Sequence, residues 1–150
     1  MSDAWEFNDG GRKSAHFKGD AGDCVVRAIA IALELPYSQV YEELMDANRE
    51  FMTGRSRAAK KQKKNGASPR NGNFRKVYQP YLESKGWSWK PLQGIGTGCT
   101  THLRADELPG GRIIARLSRH VCAVIEGVIH DTHDCSREGT RCVYGYFYKE

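Results

Sequence analysis

Cys24 and His120 are the two side chains in this sequence best suited to nucleophilic chemistry. Cys24 opens an apolar run that extends to Leu35, and the length and alanine content of that run favour a helix. The unpaired N–H groups and the dipole at a helix N-terminus favour the thiolate form of a cysteine. His120 begins a later apolar stretch, where an imidazole can act as a general base toward a thiol. The pattern therefore indicates a cysteine nucleophile with a histidine base.

The Gly-rich stretch before Cys24 supplies candidate groups for stabilising an oxyanion. Its backbone N–H groups can point at the negative charge that develops on a carbonyl oxygen during nucleophilic attack. Its last residue also stands at the N-cap position of the predicted helix. The residues of this candidate loop are Asp20, Ala21, Gly22 and Asp23.

A two-residue turn at Glu126-Gly127 predicts a third catalytic residue. Strand pairing across such a turn places residues 120, 122, 131 and 133 on one face of a hairpin. Asp131 then lies diagonally from His120, close enough to orient its ring and to favour the imidazolium. Asp134 falls on the opposite face, so Asp131 is the preferred candidate.

The elements that position these residues are helices first and strands afterwards. Apolar periodicity predicts helices over 24–35, about 38–52 and about 74–85. Residues 1–22 are polar and Gly-rich and are predicted as a loop. The later strands are predicted at 112–117, 120–125, 128–132 and 143–148. This order is typical of an α+β domain in which a buried N-terminal helix packs on a C-terminal antiparallel sheet, and 150 residues suit a single domain.

The segment 51–82 carries a high concentration of positive charge. It contains nine basic residues and no acidic residue, while the whole chain has a net charge of +5. We predict a long mobile loop at about 53–73, with a short helix around 56–64 as the alternative. Its cations within residues 55–76 are candidates for binding nucleic-acid phosphates or an acidic protein partner, and a merely solvated loop is the other interpretation. The candidate residues are Arg55, Arg57, Lys60, Lys61, Lys63 and Lys64.

The five cysteines are odd in number and irregularly spaced. Without a visible secretory signal, they do not indicate a disulfide framework, so we expect free thiols and a cytoplasmic protein. No apolar run is long enough to span a membrane, so no membrane partner is expected. Cys24 is predicted to be the most reactive thiol, because Cys122 lies in an apolar strand and nothing near Cys99, Cys135 or Cys142 lowers their pKa strongly enough to compete.

Four residues near the C-terminus have side chains that can ligate zinc. The chain has no CxxC spacing, and strand alternation points two of the four residues in opposite directions. We therefore predict no metal and no cofactor. The residues are His130, His133, Cys135 and Cys142.

The order of these residues resembles that of the papain-like cysteine peptidase superfamily, with Cys at the start of a central helix, His on a later strand and Asp shortly after. The run 19–30, Gly-Asp-Ala-Gly-Asp-Cys-Val-Val-Arg-Ala-Ile-Ala, resembles the nucleophile motif of the ovarian-tumour (OTU) deubiquitinating peptidases. That motif has an acidic, Gly-containing loop followed by Cys, two apolar residues, Arg and Ala. The segment 119–132 resembles the histidine strand and hairpin of phage and bacterial papain-like peptidases.

The resemblance implies a papain-like α+β domain that cleaves an amide bond of a protein or peptide through a thioester. It assigns the nucleophile to Cys24, the base to His120 and the orienting role to Asp131. A peptidase or isopeptidase is the first interpretation, while a deamidase or an acyltransferase would use the same side chains. The alternative from another class is a non-catalytic papain-like module that binds nucleic acid or an acidic protein through the basic segment.

Overall fold

The helices and strands make up an α+β architecture, as predicted. The computed structural model describes residues 5–13, 23–69, 74–93 and 98–149. Among these residues no helix is both long enough and apolar enough to cross a bilayer. The helices are α1 (Cys24–Leu33), α2 (Tyr37–Phe51), α3 (Arg57–Asn65) and α4 (Arg75–Ser84). The strands are β1 (Trp5–Phe7), β2 (Ser88–Pro91), β3 (Arg112–Leu117), β4 (His120–Ile125), β5 (Val128–Asp131) and β6 (Gly145–Tyr148).

All of these strands join one mixed sheet in the order β1-β5-β4-β3-β6-β2. The β4–β5 hairpin pairs Ile125 with Val128, which confirms the register predicted from the two-residue turn. Strand β1 runs parallel to β5, so the prediction of a purely antiparallel sheet is wrong. The prediction of a loop over residues 1–22 is also wrong at Trp5–Phe7, which form this strand. This strand has no buried side chain, and backbone pairing without an apolar face leaves no periodic signal in the sequence.

Helix α1 packs against β4 of the sheet and against α2. Seven of its ten residues are buried, which confirms the burial predicted from an apolar composition on every side. The helix ends at Leu33, earlier than predicted, and Glu34 adopts a left-handed conformation with φ of 57°. Because Pro36 disfavours a helical conformation for the residue before it, the chain leaves the helix ahead of the proline.

The central strands β3 and β4 are buried on both faces of the sheet. The helix-facing side packs against α1, α2 and α4 through Ile114, Ala123 and Phe147. The opposite side forms a second apolar cluster, in which residues outside the strands cover Ile113 and Val124. The covering residues include Leu103, Cys135 and Val143. Irregular segments around 98–111 and 132–144 therefore form a third layer, and the last strand begins at Gly145 rather than at the predicted residue 143.

The basic segment contains a well-anchored helix where mostly loop was predicted. The Ser56 side chain accepts a hydrogen bond from Ala59 N at 3.0 Å and caps α3. Ala59 is 1% exposed and Gln62 is 2% exposed, so one side of α3 is buried. Only one of these two residues is apolar, so the sequence gives little indication of that burial. The Asn48 amide of α2 donates to Ala67 O at 2.9 Å. These contacts tie residues 56–67 to α2.

Gly145 allows β2 and β6 to approach closely, and its replacement tests that packing. A Cβ at this position would lie 2.3 Å from Trp89 Cη2 and 2.7 Å from Lys90 O. We expect Gly145→Ala to lower the free energy of unfolding by about 1–3 kcal/mol through overpacking, measured by urea denaturation. The control is Gly110→Ala, whose Cβ would come no closer than 3.4 Å to Glu126 Oε2. Equal effects of the two substitutions would contradict the packing described here.

Candidate active site

His120 and Asp131 form a close, partly buried pair at one end of the β4–β5 hairpin. His120 Nε2 lies 2.6 Å from Asp131 Oδ2, and the other carboxylate oxygen accepts a hydrogen bond from Thr132 N at 2.7 Å. The side chains are 11% and 4% exposed. Asp134 instead accepts from Ser136 N. The structure therefore places Asp131, rather than Asp134, against the His120 ring.

The surroundings of His120 favour its charged form. Burial alone lowers the pKa of His120, but hydrogen bonds with Asp131, Cys135 and Cys24 outweigh it and raise the pKa to about 11. Burial raises the pKa of Asp131, yet the hydrogen bond and charge of His120 lead to a net lowering. The pair is therefore an imidazolium and a carboxylate at neutral pH.

Cys24 lies next to this pair as the first residue of α1. It is a free, half-buried thiol, and it acts on the pKa of His120 both as a hydrogen-bond partner and as a charge. Since Nε2 is held by Asp131, Nδ1 is the ring nitrogen that remains for a thiol. The structure thus brings Cys24, His120 and Asp131 together. Of the predicted oxyanion loop, Asp20, Ala21 and Gly22 lie outside the described residues.

Asp23, directly before Cys24, serves a different purpose from the helix cap that was predicted. It makes no side-chain cap hydrogen bond, because its carboxylate, 1% exposed, pairs with Arg12 Nε at 2.9 Å and Arg27 Nη1 at 2.5 Å. It also accepts a short hydrogen bond from the Tyr37 hydroxyl. Burial and this hydrogen bond raise the pKa of Tyr37, so the hydroxyl remains a donor.

Arg27 is a residue of the site to which sequence reasoning gave no role. Its guanidinium contacts Asp23 through Nη1 and lies 3.5 Å from Asp131 Oδ1 through Nη2. It therefore joins the first turns of α1 to the end of β5, where the carboxylate that holds His120 is located. The sequence does show Arg27 as a single charge inside an apolar run. A charged residue in a buried helix needs a buried partner, so this pattern could have pointed to a role for it.

A second thiol lies beside His120. Cys135 is 2% exposed, and hydrogen bonds with Cys122 and His120 lower its pKa even though burial opposes this. The same contact with Cys135, together with burial, raises the pKa of Cys122. Sequence reasoning did not anticipate this lowering of the Cys135 pKa, and the expectation that Cys24 is the most reactive thiol stays a prediction. The segment after β5 places Cys135 on the face of the sheet opposite the helices. A contact made by such an irregular segment leaves no periodic pattern in the sequence, so it could not be predicted.

Cys99 and Cys142 form a disulfide, which overturns the prediction that all five cysteines are free. The other three cysteines are free thiols. The bond joins two irregular segments 43 residues apart in sequence, which lie side by side through an isolated bridge between His102 and Cys142. A pairing between two loops does not require regular spacing, so the spacing argument could not detect it.

The four residues considered for zinc do not come together. His130 Nδ1 lies near Glu6 at the β1 edge, Cys142 is in the disulfide, and Cys135 is in the second apolar cluster. The ring of His133 instead lies 5.4 Å from that of His120. Among the described residues, two other groups offer closely spaced ligand atoms: His120 with Asp131 and His133, and Cys99 with His102 and Cys142.

The six cations proposed for binding are on the surface. Two of them lie at or just before the start of α3, and the four lysines lie on its exposed side. The exposed residues are Arg55, Arg57, Lys60, Lys61, Lys63 and Lys64.

Removing Arg27 tests the network that positions the site. We expect Arg27→Gln to lower the free energy of unfolding by about 3 kcal/mol, because two buried carboxylates lose a charged partner. The matched control is Arg49→Gln, which breaks an ion pair with Asp46 whose side chains are 62% and 75% exposed and should cost less than about 1 kcal/mol. Urea denaturation at neutral pH measures both. Similar losses would mean that the Arg27 contacts add little to the fold.

Comparison with known proteins gives no relative for this chain: no family model, no curated protein and no solved structure is significantly similar to it. The papain-like resemblance therefore stays a hypothesis, and the function must be inferred from the geometry of Cys24, His120 and Asp131.

Proposed function

We propose that this protein is a papain-like cysteine hydrolase that cleaves an amide bond in a protein or peptide. The observation that carries the proposal is the 2.6 Å hydrogen bond between His120 and Asp131, in a site where Cys24 contributes to the raised pKa of His120. A thiol at the N-terminus of a buried helix, a histidine beside it and a carboxylate that orients the histidine are the parts of a nucleophilic acyl-transfer site.

We propose that the reactive form pairs a Cys24 thiolate with the His120 imidazolium, which the surroundings of the ring stabilise. The Cys24 thiolate attacks the carbonyl carbon and forms a C–S bond, and negative charge develops on the carbonyl oxygen. The His120 imidazolium then donates its proton to the leaving nitrogen as the C–N bond breaks, which leaves a thioester. Neutral His120 next takes a proton from water, the resulting hydroxide attacks the thioester, and the C–S bond breaks to restore the thiolate.

Asp131 acts through His120 rather than on the substrate. Its carboxylate fixes the ring orientation and stabilises the imidazolium between the two half-reactions. A side-chain amide as substrate would make the same site a deamidase, and an amine in place of water would make it an acyltransferase. Peptide or isopeptide hydrolysis is the reaction we propose, and none of its steps needs a cofactor.

Thiol labelling separates a reactive Cys24 from a structural one. We expect limited iodoacetamide at about pH 6 to modify Cys24 before the other free thiols, Cys122 and Cys135, because Cys24 is half-buried and they are buried. His120→Ala should slow the labelling of Cys24 by about tenfold or more, which corresponds to about 1.4 kcal/mol. Peptide mapping by mass spectrometry gives the rate at each cysteine.

The control for this labelling is Cys135→Ala, which removes the second thiol beside His120. Labelling of Cys24 should persist in that variant, because Cys24 keeps its own contact with the ring. A rate at Cys24 that does not respond to His120→Ala would make Cys24 a structural residue, and preferred labelling of Cys135 would move the reactive thiol there.

We also propose a second candidate function, binding of nucleic-acid phosphates by α3. Its four lysines are exposed on a helix that Ala59 and Gln62 anchor. Among the described residues, none of the four forms an ion pair with an acidic side chain, so their charge is available to a polyanion. Deleting residues 55–70 would remove the buried Ala59 and Gln62, so the binding surface is better tested by changing charges alone.

The double variant Lys60→Gln/Lys64→Gln tests this surface. We expect it to bind a mixed-sequence oligonucleotide more weakly and to reduce the slope of log affinity against log salt by roughly 0.7–0.9 per lost phosphate contact. Fluorescence anisotropy over a salt series measures both quantities. The control is Lys13→Gln/Lys90→Gln, an equal change in charge at two exposed lysines outside α3. Equal effects of the two variants, or no binding at low salt, would leave α3 without this role.

A further inference from the structure

Cys99, His102 and Cys142 form a compact group of potential metal ligands that shares no residue with Cys24, His120 and Asp131. The two sulfurs and one imidazole nitrogen all lie within 4.8 Å of one another. Cys99 is exposed, and the other two residues are partly exposed, so an ion from solvent can reach them. Once the disulfide between the two cysteines is reduced, two thiolates and an imidazole make up a ligand set that Zn²⁺ prefers.

The spacing between the histidine and a sulfur already suits a metal ion. His102 Nε2 lies 3.6 Å from Cys99 Sγ. An ion bound to sulfur at about 2.3 Å and to nitrogen at about 2.0–2.1 Å in tetrahedral geometry separates those two ligand atoms by roughly 3.6 Å. The His102 ring therefore needs no rearrangement to share a metal ion with Cys99.

Glu107 holds the opposite side of the same ring. His102 Nδ1 lies 3.2 Å from Glu107 Oε1, and the same oxygen accepts a hydrogen bond from the His102 backbone N–H at 3.0 Å. Arg104 Nε lies 3.7 Å from the other carboxylate oxygen. A carboxylate on the non-ligating nitrogen is the usual support of a metal-bound histidine, because it sets the tautomer and directs the free nitrogen at the ion.

The backbone keeps the two ligand-bearing segments in register. Leu103 N donates to Arg141 O at 2.8 Å, and Val143 N donates to Thr101 O at 2.9 Å. These bonds flank the bridge between His102 and Cys142. The segments are therefore held together by more than the disulfide, and the ligands stay close when the S–S bond is broken.

We propose that the reduced form of this cluster binds Zn²⁺ through Cys99 Sγ, Cys142 Sγ and His102 Nε2, with Glu107 as a positioning residue. Water completes the fourth coordination position. The metal then joins the two segments in place of the disulfide, and this role is independent of the function proposed for Cys24.

The conversion from disulfide to metal site needs a two-electron reductant, for which a phosphine serves in the test tube. The phosphine takes the oxygen of one water molecule and becomes a phosphine oxide, while the two hydrogens of that water go to the two sulfurs as the S–S bond breaks. Binding of Zn²⁺ then releases those two protons to solvent as two Zn–S bonds form.

Cobalt absorption tests this site, because Co²⁺ takes the place of Zn²⁺ in such sites and its thiolate complexes absorb in the near ultraviolet. The full chain is reduced with a phosphine under nitrogen, desalted and titrated with Co²⁺. We expect a thiolate-to-cobalt band that saturates at one equivalent and disappears when Zn²⁺ is added. Glu107→Gln should weaken cobalt binding by about 10–100-fold, and Cys99→Ser or Cys142→Ser should abolish the band.

Two controls show which cysteines hold the ion. The unreduced chain keeps Cys24, Cys122 and Cys135 as free thiols, so any band that it gives comes from them. Cys24→Ser should bind Co²⁺ as the wild type does after reduction. Absence of the band in the reduced wild type, an equal band in the unreduced chain, or wild-type affinity in Glu107→Gln would each overturn the proposal. Glu107→Gln leaves both cysteines in place, so it remains informative if a cysteine variant does not fold.

Discussion

Two buried carboxylates, Asp23 and Asp131, must find charged partners inside the protein, and Arg27 lies between them. Asp23 is 1% exposed and Asp131 is 3% exposed, and an unpaired charge at either position would be strongly destabilising. Because Arg27 lies in the first turns of α1 and Asp131 ends β5, this bridge sets the distance between the helix N-terminus and the hairpin. The position of Cys24 relative to His120 depends on it.

The hairpin and the layer beneath the sheet then decide what surrounds the His120 ring. The turn residues Glu126 and Gly127 have φ of 49° and 78°, as a two-residue hairpin turn requires, and the resulting register places Asp131 against His120. The segment after β5 brings Cys135 to the ring from the other cluster. The His120 ring therefore lies beside two thiols, of which Cys24 is half-buried and Cys135 is buried.

The features that could be predicted from the sequence are those with a local pattern. An apolar run shows that α1 is buried, and the Glu126-Gly127 turn determines which residues of β4 and β5 face each other. The Cys99–Cys142 bond, the approach of Cys135 and the pairing of β1 are contacts between irregular or very short segments, and no periodicity encodes them. Arg27 was partly predictable. The sequence shows a charged residue in an apolar helix, but it does not show which residues that charge pairs with.

The most direct test of the proposed site is an NMR titration of the His120 imidazole in the folded wild type and in Cys24→Ala. We expect His120 in the wild type to stay an imidazolium well above the ordinary value of about 6.5, because its contacts raise its pKa to about 11. The pKa should fall in Cys24→Ala, since the ring loses a hydrogen-bond partner. A wild-type titration near 6.5, or a titration that does not change when Cys24 is removed, would contradict a catalytic pairing of Cys24 with His120.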